Sequence, residues 1–340
     1  MKNKSDKNIL VVKLGAIGDV VMSLAMISEI DKKYPGAKIT WMSGKIVEPL
    51  IKSIPRIDEV IIVNDADLLT GNPVKKFNVL FKMWIKLFGK RYDLIITAYK
   101  DKRYKLLTST AIGNVRKDFF GKVRQTTLSN GRYHAVEYMR LINDTDNWEM
   151  SAPTFPECNI IPSPNFESSF LKSGTKCVAL APGGSKNLLS DTDERRWPVE
   201  NYARVATELI KQNVTVIIMG AESDKWVLKH FENIPVVNLI GKTSITDVIY
   251  IYNKCNLLIS HDTGLLHLAK LSGIYTIALF GPVDPRWMVG KNENIKTIWG
   301  GVDLHCSPCY NGKTFADCDN NICMKNIDPE SVMNLAIKSL

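Results

Sequence analysis

The sequence predicts an α/β protein of two doubly wound domains, each a parallel sheet with helices on both faces. Three observations carry this expectation. Short apolar runs alternate with longer stretches of helical periodicity, which is the β-α-β rhythm of a parallel sheet. A Pro-, Ser- and Asn-rich stretch at residues 144–173 interrupts that rhythm, which then restarts. The chain has 340 residues with 45% hydrophobic content, enough for two cores at about 150 residues each. The expected domains are residues 1–165 and 174–327, facing one another across a cleft. A terminal helix at 328–340 is expected to pack back on the first domain.

Residues 8–14 (NILVVKL) are a short apolar run bounded by polar and Gly residues, hence a buried parallel strand. The turn from Gly15 through Ala16, Ile17 and Gly18 to Asp19 leads into a helix over 20–33, with Val21, Leu24, Ala25, Ile27 and Ile30 at its apolar positions. A strand at 38–42 follows Pro35 and Gly36, then a helical stretch near 48–53 and a strand at 59–63. Residues 75–91 place Phe77, Leu80, Phe81, Trp84, Ile85 and Phe88 at helical spacing among Lys75, Lys76, Lys82, Lys86, Lys90 and Arg91. Two readings stand: a basic amphipathic helix lying on an anionic membrane surface, or a crossover helix with its apolar face on the sheet and its lysines in solvent. A strand at 94–98, a cation-rich segment at 100–124 and a helix at 133–141 complete this half.

The second half opens with a strand at 176–180 and the loop Ala181, Pro182, Gly183, Gly184, Ser185. A helix at 199–211, a strand at 214–219, a loop at 220–224 leading into a helix, a strand at 236–239 and a helix at 245–252 follow. The apolar run 257–259 then turns through Ser260, His261, Asp262, Thr263 and Gly264 into a helix carrying His267, Leu268 and Leu271, which Gly273 ends. A strand at 275–280 and the rigid turn 281–285 (GPVDP) close this unit.

A strand running straight into a helix start offers free backbone N–H groups and the positive end of the helix dipole to an anion. Thr263 and His267 add donors beside it, so the expected ligand is a phosphate. Three further positions follow strands and share the ligand-binding edge of the sheets. Arg195 and Arg196 are either cations for a diphosphate or a solvated pair; Glu222 and Asp224 either accept from ribose hydroxyls or are ordinary first-turn acids. Asp19 is either a helix N-cap or a general base. A nicotinamide cofactor is disfavoured, because the first turn lacks G-x-G-x-x-G and the second strand ends in Met42 and Ser43 instead of an acid.

A net charge of +9 and a pI near 9.0 favour acidic partners: nucleotides, phosphorylated substrates or an anionic membrane surface. Without a nucleic-acid motif, no nucleic acid is expected. No apolar run approaches the ~20 residues of a membrane span, and with no secretion signal the expected compartment is the cytoplasm. Cys158, Cys177 and Cys255 stand singly, while Cys306, Cys309, Cys318 and Cys323 follow C-x2-C-x8-C-x4-C. That cluster reads as a structural zinc site, a disulfide or plain packing, the zinc being the less favoured. No catalytic metal is expected, an H-E-x-x-H motif being absent.

Taken together, the blocks VVKLGAIGDVVMSLAMISEI, APGGS…RRWP, YDLII after a basic helix, DTGLLHLA…FGP.DP and the terminal CSPC…C…CM resemble family 9 glycosyltransferases, the lipopolysaccharide heptosyltransferases, over nearly the whole chain. The resemblance implies a GT-B fold of two Rossmann-like domains with the active site between them. It implies inverting, metal-independent transfer of a heptose from ADP-heptose to a lipopolysaccharide-core or related glycolipid acceptor, with no cofactor required, peripherally at the cytoplasmic face of the inner membrane. By position, Asp19 matches the catalytic base, and Asp262, Thr263, Gly264, Leu265 and His267 match the diphosphate cradle. Ser185, Arg195 and Arg196 fall in the donor loop, Arg195 standing where the family carries Lys, and Glu222 or Asp224 resembles the ribose-binding acid. Lys100, Lys102 and Arg103 are expected on the acceptor side. Transfer of another nucleotide sugar, a GT-B-like nucleotide-sugar epimerase and a non-catalytic nucleotide- or nucleic-acid-binding protein are the competing readings.

Overall fold

The computed structural model describes residues 7–119, 132–143, 152–171, 174–185, 191–311 and 314–340. The chain divides into two compact units, residues 1–159 and 160–340.

The first unit runs β1 (Asn8–Val12), α1 (Ile17–Ser23), α2 (Met26–Lys33), β2 (Lys38–Gly44), α3 (Glu48–Lys52), β3 (Glu59–Val63), α4 (Asp65–Leu69), α5 (Pro73–Leu87), β4 (Arg91–Thr97), α6 (Lys102–Leu107), β5 (Ile112–Asp118) and α7 (His134–Asn143). Its strands are all parallel, in the order β3-β2-β1-β4-β5. The central strand is apolar without alternation because helices cover both faces of the sheet: Ile9, Leu10, Val11 and Val12 are wholly buried. Leu10 and Val12 join Met42, Ile61 and Val63 and the inward face of α5 (Val79, Met83, Leu87) in one core cluster.

Helices α4 and α6 have no counterpart among the expected elements, and two further differences have a clear physical reason. The helix expected over 20–33 starts at Ile17 and breaks at Leu24 and Ala25, where the Ala25 N–H donates to the Met22 carbonyl, a tighter turn than an α-helix makes. The cation-rich segment contains the edge strand β5. Its Arg116 turns back to donate to the carbonyls of Thr108 and Ala111, and the buried Lys117 donates to that of Ile142. These cations serve the turn before the strand and the end of α7.

The second unit runs β6 (Cys177–Ala181), α8 (Val199–Lys211), β7 (Thr215–Ile218), a 3-10 segment Glu222–His230, β8 (Val237–Asn238), α9 (Ile245–Tyr252), β9 (Leu257–His261), α10 (Gly264–Leu268), a 3-10 turn Ala269–Leu271, β10 (Tyr275–Phe280), α11 (Pro285–Met288), β11 (Ile295–Trp299), α12 (Ile322–Lys325) and α13 (Pro329–Ser339). Six parallel strands lie in the order β11-β10-β9-β6-β7-β8. Leu257 and Ile259 of β9 and Val178 and Leu180 of β6 form the centre of its core with Trp197, Tyr202 and Leu209.

The terminal helix packs within the second unit. Val332 and Ala336 of α13 are fully buried in this same core, packed with α8, and Trp197 Nε1 donates to the Ile327 carbonyl just before it. The apolar face of α13 is thus taken up by the second unit. Among the described residues no helix is long and apolar enough to cross a membrane.

Candidate active site

In the first unit the chain leaves β1 through Lys13 and reaches Gly15, whose φ of +102° is costly for any residue with a side chain. The N-cap of α1 is Ala16, without a side-chain cap, so Asp19 lies inside the first turn and caps nothing. Its carboxylate, 28% exposed, lies 3.4 Å from Lys13 Nζ. Lys13 is wholly buried, with its ammonium 4.6 Å from the ring centre of Tyr99 and 5.2 Å from that of Tyr138. Burial pulls the Lys13 pKa down, and Asp19 pulls it back up. The hydroxyls of Tyr99 and Tyr104 are pushed up by burial, with the Asp19 charge adding to it. Lys13 was read from sequence only as part of the strand. The available signal was a cation inside a run of buried residues, which requires a partner.

The expected acceptor-side cations separate. Lys100 and Lys102 are exposed beyond the end of β4. Arg103 is committed to structure: its guanidinium chelates Asp101 at 2.5 to 3.0 Å and donates to the carbonyls of Leu68 and Leu69, so it is withdrawn as an acceptor ligand.

In the second unit the glycine loop after β6 is held by Asp224. Its Oδ1 accepts from the Gly184 N–H and its Oδ2 from the Ala221 N–H, both at 2.8 Å, and the residue is buried. A Cβ at Gly183 would come within 2.6 Å of the Asp224 Cβ, which explains why the loop needs glycine there. With both oxygens occupied and out of solvent, Asp224 is withdrawn as a ribose ligand. Glu222 stands exposed beside Lys225. Arg196 fastens the same loop, donating to the Gly184 carbonyl at 2.9 Å and pairing with Asp191 and Asp193. Arg195 is held by the Thr192 hydroxyl at 2.7 Å and reaches Asp262 Oδ2 at 3.3 Å. Ser185, in the left-handed region at φ 65°, lies with its hydroxyl 3.5 Å from the Asp262 carbonyl.

Asp262, after β9, thus brings together residues that sequence could only place on separate loops. Its Oδ1 lies 3.5 Å from His267 Nε2, and His267 Nδ1 lies 3.0 Å from Lys270 Nζ, which also donates to the Met288 carbonyl. Burial alone would raise the Asp262 carboxyl, but His267 and Arg195 beside it hold it far below the usual carboxylate range. Burial pushes the Lys270 ammonium down to about 7, Asp262 opposing. Next to them His261 is buried and neutral, pushed down to about 3 by burial and then by Arg195, with Tyr202 Oη 3.0 Å from its Nδ1. Thr263 is the N-cap of α10 without a side-chain bond, and the first-turn N–H groups of Gly264 and Leu265 have no intrahelical acceptor. Asp262 therefore holds Arg195 and His267, with Lys270 behind the imidazole, beside backbone donors that have no intrahelical acceptor. Lys270 was missed by sequence reasoning for the same reason as Lys13.

Among the described residues no group of three or more His, Cys, Asp and Glu side chains is placed to hold a metal ion. Cys306, Cys309, Cys318 and Cys323 are free thiols; Cys318 Sγ accepts from the Asn321 N–H, and burial pushes the Cys323 thiol up to about 11. Four D-x-D spacings do occur, one of which (144–146) lies outside the described residues and another of which, Asp317 and Asp319, is exposed. Asp191 and Asp193 are paired with Arg196, while Asp65 is buried and Asp67 faces Lys75 and Asn64.

The sequence pattern of "Glycosyltransferase family 9 (heptosyltransferase)" matches residues 80–318. The lipopolysaccharide core heptosyltransferase OpsX of Haemophilus influenzae is 25% identical over 321 residues, covering 87% of this chain and 86% of that protein. Among solved structures, a family 9 glycosyltransferase from Veillonella parvula superposes with a TM-score of 0.76 at 20% identity, covering 98% of this chain and 97% of its own. The Escherichia coli ADP-heptose lipopolysaccharide heptosyltransferase II does so at 0.74 and 17%, covering 98% of each. The two parallel sheets are those of the GT-B fold.

Proposed function

From its membership of glycosyltransferase family 9, the heptosyltransferases, we propose that this chain transfers a heptose from ADP-heptose to a lipopolysaccharide-core or related surface-glycan acceptor, with inversion and with Asp19 as general base. It is a glycosyltransferase; the donor, the stereochemistry and the residue roles are the proposal. The observation that carries it is the Arg195–Asp262–His267–Lys270 chain beside the open N–H groups of α10. Inverting transfer is a single displacement. The Asp19 carboxylate takes the proton from an acceptor hydroxyl as its oxygen attacks the anomeric carbon, and the bond to the diphosphate breaks. The departing ADP carries away negative charge, which preorganised cations and backbone donors stabilise without reorganising.

Asp262 is itself an anion and both its oxygens are engaged, so its role is to hold Arg195 and His267 in place. The Gly264 and Leu265 N–H groups, Thr263 and Ser185 complete the proposed cradle, Arg196 and Asp224 shape its glycine loop, and exposed Glu222 is the remaining candidate for the ribose hydroxyls. Lys100 and Lys102 are the remaining acceptor-side cations. The protein would work peripherally at the cytoplasmic face of the inner membrane, where such acceptors are assembled, and without a metal. The test is a donor panel with a heptose-accepting core glycolipid, read by mass spectrometry for ADP and extended glycan. Extension from ADP-heptose is expected. Release of ADP from no nucleotide sugar would overturn the proposal, and release from a different donor would correct the sugar.

A further inference from the structure

Helix α5 packs one apolar face on the sheet, as the crossover reading of its sequence expects, and leaves a second apolar surface that needs an occupant. Its inward face is narrow: Val79, Met83 and Leu87 are buried on the sheet. A second apolar stripe points outward, with Val74, Phe77, Phe81, Ile85 and Phe88 each 49% to 78% exposed. At 3.6 residues per turn these five fall on one line, about 20 Å long at 1.5 Å per residue. Phe77 and Phe81 stack at 5.8 Å, and Trp84 meets Phe77 edge-on at 6.4 Å. Trp84 Nε1 donates to the Leu106 carbonyl and the Ile112 N–H to that of Lys90, so exposed Leu106 and Ile112 extend the same surface. A patch of this kind on a protein surface marks a contact.

The surrounding charge names the partner. The same helical spacing puts Lys75, Lys82 and Lys86 in a row along one edge of the stripe, with Lys90 and Arg91 just past its end, all exposed. No acid lies in the first turn of α5, and the side chains of Lys82, Lys86 and Arg91 make no hydrogen bond or ion pair among the described residues. A second copy of this chain docking on the patch across a two-fold axis would set these lysines against themselves. Aromatic and aliphatic side chains flanked by lysines match instead the acyl boundary and headgroups of an anionic bilayer. We infer that the outward face of α5 docks this protein on anionic lipid, with Phe77, Phe81 and Ile85 entering the interface and Lys75, Lys82 and Lys86 lying on the headgroups.

The test is co-sedimentation of the full chain with vesicles of phosphatidylcholine, with or without about one-third phosphatidylglycerol. It contains neither donor nor acceptor, so its outcome is independent of the transferase reading. The wild type is expected to partition about tenfold or more in favour of the anionic vesicles. The triple variant Phe77→Ser, Phe81→Ser, Ile85→Ser is expected to lose about tenfold in binding to them. Because those three side chains are largely in solvent, its unfolding midpoint should match the wild type. The variant Lys75→Glu, Lys82→Glu, Lys86→Glu, which leaves the apolar stripe whole, should lose the anionic preference. Wild-type protein that binds neither vesicle, or either variant binding as the wild type does, would overturn the inference. So would a dimer in solution that the Phe77, Phe81, Ile85 variant dissociates, which would assign the face to a second copy.

Discussion

Lys270 makes a prediction in which sign and size both follow from the structure. Its ammonium is partly buried behind His267, and its pKa is pushed from 10.5 down to about 7. Between those values the unfolded chain binds the proton and the folded protein does not, so stability rises with pH through the window from about 7 to 10.5 and the penalty is felt in full below it. At 1.36 kcal/mol per unit the ceiling is about 5 kcal/mol. The bond to the Met288 carbonyl and residual solvent contact reduce this, so we expect about 2 kcal/mol. In Lys270→Met the lysine is gone, and with it this slope. Leaving the Met288 carbonyl and His267 Nδ1 without their donor adds a constant offset of about 1–3 kcal/mol for each group, which does not affect the slope. The assay is urea unfolding of both proteins at intervals between pH 6.5 and 9.5. The wild type should gain on the variant steadily as pH rises, other titrating groups being common to both. A difference that stays flat across the range would refute the burial argument, and one that falls would mean that Asp262 holds the ammonium charged in the fold.

Three further outcomes follow from the same geometry. Asp19→Asn should lower turnover by about 100- to 10,000-fold, the range of a lost general base, with ADP-heptose affinity by calorimetry unchanged; retained turnover would remove Asp19 from that role. Asp224→Ala strands the N–H groups of Gly184 and Ala221 and should destabilise by about 2 kcal/mol in denaturant unfolding, while weakening donor affinity; an equally stable variant would show that water replaces the carboxylate. If Arg195 and the donors around it stabilise the leaving diphosphate, excess EDTA should leave the transfer rate unchanged, and a loss restored by added divalent cation would show that they do not suffice.

What the sequence made legible and what it concealed divide along a physical line. Buried parallel strands announce themselves, because coverage on both faces removes the polar alternation, and β1, β6, β9 and β10 all fell within a residue or two of their expected bounds. The edge strand β5 did not, since Arg116, Lys117 and Asp118 make it read as charge and its pairing with β4 is a long-range fact. The site shows the same division. Motif order placed Asp19 and the Asp262 to His267 block at strand ends, but not which acids are already engaged. Asp224 and Glu222 are indistinguishable in sequence, yet one is sealed against two backbone N–H groups and the other is open. Arg103 and Lys102 are neighbours, and only the arginine is chelated by Asp101. Lys13 and Lys270 point to a rule for reading such chains: a lysine inside a run whose neighbours must be buried needs a counter-charge or acceptors of its own, since an unpaired ammonium there is unaffordable. Here one lysine is found on Asp19 and the other on the Asp262 chain. These two lysines thus mark the two carboxylates around which the proposed chemistry is arranged.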